Sequence, residues 1–151
     1  MVLATTCADG LAQARTVVLR EVRAATEQLL IYTDARSPKV AELRAQPLAS
    51  VVLWSSHLNW QLRLQLRFDV VLDGAEVRTA WECVRQSSSA SDYLASRGPG
   101  APLPDQSEPS LREPRLAVLV GRVLSMDWLE LRREGHRRAR LDGRGVEWLV
   151  P

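Results

Sequence analysis

From Trp60 to Leu72 every even-numbered residue is apolar, and every odd-numbered one except Val71 is Gln, Arg or Asp. That is a two-residue period. Leu, Gln and Arg favour helices, but a helix would scatter Trp60, Leu62, Leu64, Leu66, Phe68, Val70 and Leu72 around its circumference, so the pattern outranks the propensity. The stretch Asn59–Gly74 therefore reads as one long, half-buried strand. At roughly 3.3 Å per residue it spans about 40 Å, a length typical of an antiparallel sheet that coils into a barrel. The other short apolar runs become its neighbours.

With 151 residues, 46% of them hydrophobic, the chain is expected to form a single domain over 1–151 with one core. A formal charge of +2 makes no strong electrostatic demand. Cys7 and Cys83 lie far apart, and His57 and His136 are the only histidines, so neither a disulfide framework nor a metal site is expected. Free thiols suit a reducing cytoplasm. No apolar run approaches ~20 residues, and no charged n-region precedes Val2, so neither a membrane span nor a signal peptide is read.

In order, Val2–Cys7, Thr16–Val22 and Leu29–Thr33 read as strands of a meander, the first pair joined by a turn at Asp9-Gly10. Ser37-Pro38 opens a helix that continues through Val40, Ala41 and Leu43 and stops at Pro47. Ala49–Trp54 precedes the long strand, and a second short helix is expected over Thr79–Arg85, with Trp81 and Val84 on its inner face. From 86 to 114 the composition turns to Ser, Pro and Gly, which is a loop. Leu116–Leu124, Trp128–Leu131, Arg137–Leu141 and Trp148–Val150 complete the strands, with a hairpin at Asp142-Gly143. The class is all-β or α+β, with a closed or split barrel.

Ser37, Pro38 and Lys39 bring free backbone N–H groups, the positive end of a helix dipole and the chain's sole lysine to one point, which suits a phosphate. An ordinary helix start accounts for the same residues. Arg15 and Arg20, five apart, point to opposite faces of a strand, so a single site takes one of them unless a bulge intervenes. Gln61, Arg63, Gln65 and Arg67 line the polar face of the long strand, either as a solvated surface or as a wall facing a ligand between subunits. Trp54, Trp60, Trp81, Trp128 and Trp148 are many for this length, and tryptophan is enriched at interfaces. The C-terminal arginines are broken up by Glu130, Glu134 and Asp142 and lack a stacking ladder, which argues against a nucleic-acid partner. No Ser-His-Asp spacing, P-loop or dinucleotide glycine motif is present.

Taken in order, Leu3-Ala4-Thr5-Thr6, Arg15-Thr16-Val17-Val18-Leu19-Arg20, Ile31-Tyr32-Thr33-Asp34, Arg36-Ser37-Pro38-Lys39 and Gln61 resemble the pyridoxamine 5′-phosphate oxidase family. The resemblance is nearest to its FMN-binding oxidase-like branch, whose members also end much like His136-Arg137-Arg138-Ala139-Arg140 followed by Trp148 and a terminal Val-Pro. It implies a mainly β (α+β) fold, a split β-barrel of antiparallel strands with a few short helices. It also implies a homodimer with FMN at the subunit interface.

Residue by residue, the resemblance implies that Arg15, Thr16, Val17, Val18, Leu19 and Arg20 contact the flavin and its phosphate, as do Tyr32 and Thr33. Lys39 would hold the phosphate, in keeping with the helix start at Ser37, Gln61 would reach the ring, and Arg140 would contact the flavin from the C-terminal segment. Arg20, Tyr93 and Arg97 match substrate-phosphate residues of true oxidases, and Gln106-Ser107 matches a Gln-Ser pair given by the partner subunit.

The sequence departs from the family pattern at Pro38, where a second basic ligand is usual, at Gly98-Pro99-Gly100, which lacks the substrate-loop motif, and at His136, which replaces an arginine. The chain also starts inside the first strand, without the N-terminal helix usual in the family, which points to a truncated product or a mis-set start. The expected activity is that of a cytoplasmic FMN-binding flavoprotein and oxidoreductase with an unassigned small-molecule substrate. A true pyridoxamine/pyridoxine 5′-phosphate oxidase, and a split-barrel dimer that has lost flavin and enzymatic activity, stand as alternatives.

Overall fold

A computed structural model of the chain describes residues 1–103, 105–106 and 108–151. Among these residues, nine strands form one antiparallel sheet: β1 (Val2–Thr6), β2 (Ala12–Thr16), β3 (Leu19–Arg23), β4 (Gln28–Asp34), β5 (Leu48–Ser55), β6 (Trp60–Val71), β7 (Leu116–Glu130), β8 (Arg137–Asp142) and β9 (Gly145–Leu149). Among the described residues, helices α1 (Pro38–Ala45) and α2 (Gly74–Val84) and two 3-10 turns, over Ala24–Thr26 and Ser88–Tyr93, accompany the strands. The strand order is β2-β1-β5-β6-β7-β4-β3, with β8 and β9 added beyond the far half of β7.

Only Val17 and Val18 separate β2 from β3, although these strands are the two ends of the order. The sheet therefore curls until its edges adjoin, closed at that seam by the covalent chain. This is the split β-barrel that the alternation in β6 called for. In β6, Leu64, Leu66 and Phe68 are buried, while Arg63, Gln65, Arg67 and Asp69 face out.

The barrel interior is filled by Leu3, Leu29, Ile31, Val51, Leu64, Leu66, Phe68, Ala117 and Leu119, joined by Val40 and Leu43 of α1. A second core lies on the opposite face of β4 and β7, where Leu30, Leu116, Val118 and Val120 pack against Ala80 and Val84 of α2 and against Tyr93. Successive β4 residues thus serve opposite cores, as a pleated strand requires.

Three expected elements are corrected. The run Thr16–Val22 is not one strand, and the first three strands are not a meander. Ala12–Thr16 pairs with β1, whereas β3 pairs with β4 at the other edge. The reason is at the chain start, where Val17 N–H donates to Met1 O at 2.9 Å and ends the first ladder. Leu116–Leu124 and Trp128–Leu131 are one strand of 15 residues. A bulge places Leu66 opposite Val123 and Gln65 opposite Ser125, leaving Leu124 unpaired against β6 and breaking the alternation. The second helix begins at Gly74 rather than Thr79, with Ala80 and Val84 as its buried residues.

Candidate functional site

Helix α1 starts as its sequence predicts, with Ser37 at the N-cap and Pro38 at the first turn, but the Ser37 side chain does not cap the helix. Its hydroxyl, buried, lies 3.2 Å from Thr33 Oγ1. Lys39 Nζ donates to both hydroxyls, at 3.1 Å to Thr33 and 3.2 Å to Ser37. An ammonium group held by neutral hydroxyls keeps most of its charge uncompensated. Burial, and next the guanidinium of Arg15, hold the Lys39 amine below the usual lysine range, with Glu42 and Asp34 opposing.

Arg15 reaches the same corner from β2. Its Nη2 donates to Glu42 Oε2 at 2.9 Å and its Nη1 donates to Thr5 Oγ1. Thr5 in turn donates to the same Glu42 oxygen. The corner therefore holds two cations, three hydroxyls and one carboxylate, all on the barrel-interior side of β1 and β4. An ammonium whose charged form is disfavoured by burial and by a neighbouring guanidinium gains from an added anion. This donor set fits a phosphate, the group that would anchor FMN.

A second corner forms on the other side of β4. Tyr32, the neighbour of Thr33, points outward, and the Arg20 guanidinium sits 5.9 Å from its ring centroid. Tyr93, buried beside them, has its phenol pushed up by burial, while Arg20 pulls in the opposite sense. Arg15 and Arg20 are thus divided between two faces, and the same parity divides Thr33 from Tyr32. Val17, Val18 and Leu19 connect the corners. Val17 and Leu19 pack on the interior core, and Val18 and Thr16 are exposed.

The remaining expected site residues stand elsewhere in the chain. Gln61 is cross-strand from Leu129, whereas Thr33 is cross-strand from Ala117. Those positions are 12 residues apart on β7, on the order of 40 Å along the strand. Arg140, on β8, donates to Glu147 at 2.6 Å and is half exposed. Arg97 does not join Tyr93: its Nε and Nη2 donate to Glu108 Oε1 at 2.9 and 2.6 Å and its Nη1 to Pro102 O at 3.0 Å. Of the Gln106-Ser107 pair, Ser107 lies outside the described residues.

Several participants were not singled out beforehand. Glu42 follows Lys39 by three residues and so shares its helix face, a signal that spacing could have supplied. Thr5 had no such signal. At the far end of the sheet, Trp128 is edge-on to Trp60 at 5.4 Å and to Trp148 at 6.3 Å, with Arg137 over Trp148 at 5.0 Å. Trp60 Nε1 donates to Glu130, while Trp128 Nε1 is buried without a partner among the described residues. No helix among those residues is long and apolar enough to cross a membrane.

Comparison with known proteins bears on the family and the fold. Residues 1–71 match the family described as pyridoxamine 5′-phosphate oxidase, FMN-binding domain. That stretch holds β1 to β6, including Arg15, Arg20, Thr33, Lys39 and Gln61, whereas Tyr93, Arg97 and Arg140 lie beyond it. The pyridoxine/pyridoxamine 5′-phosphate oxidase of Thermosynechococcus vestitus is 40% identical over 65 residues, 43% of this chain. The chain spans only 30% of the length of that curated relative. Among solved structures, a pyridoxamine 5′-phosphate oxidase-related, FMN-binding protein from Nostoc punctiforme superposes with a TM-score of 0.83 at 26% identity, covering 99% of this chain and 87% of its own. PhzG from Burkholderia lata, solved with tetrahydrophenazine-1-carboxylic acid, shares the fold with a TM-score of 0.79 at 20% identity, over 99% of this chain and 81% of its own. Residues 1–71 thus carry the FMN-binding domain signature of the pyridoxamine 5′-phosphate oxidase family, and the fold of the whole chain is that of its FMN-binding relatives.

Proposed function

We propose that the protein is an FMN-binding oxidoreductase that works as a cytoplasmic homodimer on a small-molecule substrate. The observation that carries this reading is the Lys39 amine, held by the hydroxyls of Thr33 and Ser37 at the start of α1 with Arg15 beside it. In this reading Arg15, Ser37 and Lys39 hold the phosphate, and Thr16, Val17, Val18, Leu19, Arg20, Tyr32 and Thr33 form the adjoining wall. Each charge-assisted bond to the phosphate contributes roughly 1.5–3 kcal/mol. FMN, when bound, supplies the redox chemistry, and the protein's part is to orient it and its substrate.

Gln61 and Arg140 stand far along the sheet from Lys39 in the same protomer, so here they reach the flavin of a second copy. This supports a dimeric site, with a polar wall of β6 facing the ligand. The decisive experiment is a visible spectrum of the purified protein before and after denaturation, with the released chromophore weighed. A flavin spectrum and the mass of FMN are expected; a colourless protein that also refuses added FMN would return the weight to a flavin-free split-barrel dimer.

One observation favours a narrower reading, a true pyridoxamine 5′-phosphate oxidase: Tyr93 is buried next to Arg20, leaving a cation and a phenol together on the substrate side. Arg97, bound to Glu108, opposes it. Turnover of pyridoxamine 5′-phosphate at an ordinary enzymatic rate would establish the narrower activity, and its absence in an FMN-loaded sample would remove it.

A further inference from the structure

Between the two corners, the chain turns through Asp34, Ala35 and Arg36, and this turn is where the long Ser/Pro/Gly-rich segment is attached to the barrel. Asp34 is 5% exposed. It accepts from Arg36 three times: from the backbone N–H at 2.7 Å, from Nε at 3.0 Å on the same oxygen, and from Nη2 at 2.6 Å on the other. The guanidinium so oriented donates outward to two carbonyls of the loop, Ser96 O from Nη1 and Ala95 O from Nη2, both at 2.9 Å. A planar fork held along one edge by a carboxylate presents its remaining donors in a fixed direction.

Two further features converge on this turn. Ala35 N–H donates to Arg115 O at 2.7 Å, and Arg115 N–H donates to Tyr93 O at 2.8 Å, which closes the base of the loop. Gly98 passes so close that a Cβ there would lie 2.9 Å from Arg36 Cβ, a separation that side chains do not tolerate. The loop is therefore fitted to Arg36 by both hydrogen bonds and shape.

We propose that Arg36 is a positioning residue: pinned by Asp34, it grips Ala95 and Ser96 and thereby keeps Tyr93 beside Arg20 at the substrate-side corner. Arg36 itself touches neither corner. It acts through Tyr93, two residues before the first carbonyl it holds. The role assigned to that corner rests on the proposed function above, but the positioning itself does not.

The chain has two tyrosines, Tyr32 and Tyr93, so protein labelled with 3-fluorotyrosine gives two fluorine resonances, assigned with Tyr32→Phe. In the unsubstituted protein the Tyr93 resonance is expected well away from the position of free fluorotyrosine. Arg36→Ala should collapse it to that position, Arg36→Lys should restore part of the displacement, and the Tyr32 resonance should barely change. Gly98→Ala, which leaves every Arg36 donor in place but pushes the loop outward, should move the Tyr93 resonance the same way and carries the test if Arg36→Ala does not fold. A Tyr93 resonance that stays put in these variants would overturn the assignment. FMN titration of the same samples reads the other proposal separately. An unsubstituted protein that refuses FMN while Tyr93 answers to Arg36 removes the flavin reading alone, and FMN binding with an unresponsive Tyr93 removes the positioning alone.

Discussion

The carboxylate of Glu42 lies 2.9 Å from the guanidinium of Arg15, on the side of the corner where Lys39 also projects. An incoming phosphate and this carboxylate would share one cation. At a separation of several ångströms and an effective dielectric of about 20, a carboxylate opposes an anion by about 2 kcal/mol per unit charge. Glu42→Gln, which keeps an acceptor for Arg15 and Thr5, should tighten FMN binding by about 30-fold, read by quenching of flavin fluorescence. Weaker binding in the variant would mean that Glu42 serves the site by orienting Arg15.

Removing either cation should act in the opposite sense. Lys39→Ala and Arg15→Ala are each expected to weaken FMN binding by about 10- to 100-fold, the equivalent of one lost charge-assisted bond. The circular dichroism spectrum should be retained in both, since neither residue belongs to the buried apolar core. Titration curves that superpose on the parent's in both variants would show that the phosphate lies elsewhere.

Without an anion, Lys39 should leave a pH signature on stability. Burial, then Arg15, lower its pKa in the folded protein, so between the folded value and the unfolded value near 10.5 the unfolded chain binds more protons. Stability then rises with pH through that window. Lys39→Met should be more stable than the parent apoprotein at pH 7, and this advantage should shrink as the pH climbs towards the ordinary lysine value. Urea unfolding of both proteins from pH 7 to 10 measures the difference, and a difference independent of pH would contradict the assigned burial.

Gly121 on β7 faces Phe68 on β6. A Cβ at Gly121 would sit 2.6 Å from Phe68 Cε1 and 3.0 Å from Leu66 Cδ2, so the phenyl ring occupies the space of a missing side chain. Gly121→Ala should cost about 1–3 kcal/mol by overpacking. Adding Phe68→Leu should recover part of that loss, because the shortened side chain vacates the contact. Costs that simply add in the double mutant would show that the two residues do not compete for that space.

How far the sequence could be read depended on whether a feature was set locally. The strand β6 was legible because its period of two needs no partner to be recognised. The entry to α1 was legible because Ser37, Pro38 and Pro47 are local stop and start signals. The break at Val17-Val18 was not, since the run from Thr16 to Val22 is uniformly β-forming and only its pairing with Met1 divides it. Likewise, the bulge at Leu124 made one strand look like two. In the candidate site, Lys39 and Ser37 announced themselves, whereas Glu42 looks like any helix-surface carboxylate until β2 and β1 bring Arg15 and Thr5 to it. Arg97 shows the converse, because a four-residue spacing from Tyr93 could not reveal that Glu108 holds it.

The central strand β7 is synthesised well after β6, whose edge it covers. Its pairing with β6 joins residues from Val71 and Val118 at one end to Trp60 and Glu130 at the other. At a translation rate of about 5–20 residues per second, β6 leaves the ribosome several seconds before the strand that covers its second edge. Through that interval its ladder groups are open to any other nascent chain, and non-local pairing of this kind is slow to form. Charge on a strand discourages the pairing of an open edge with other chains, and Arg63, Arg67 and Asp69 line the outer face of this one.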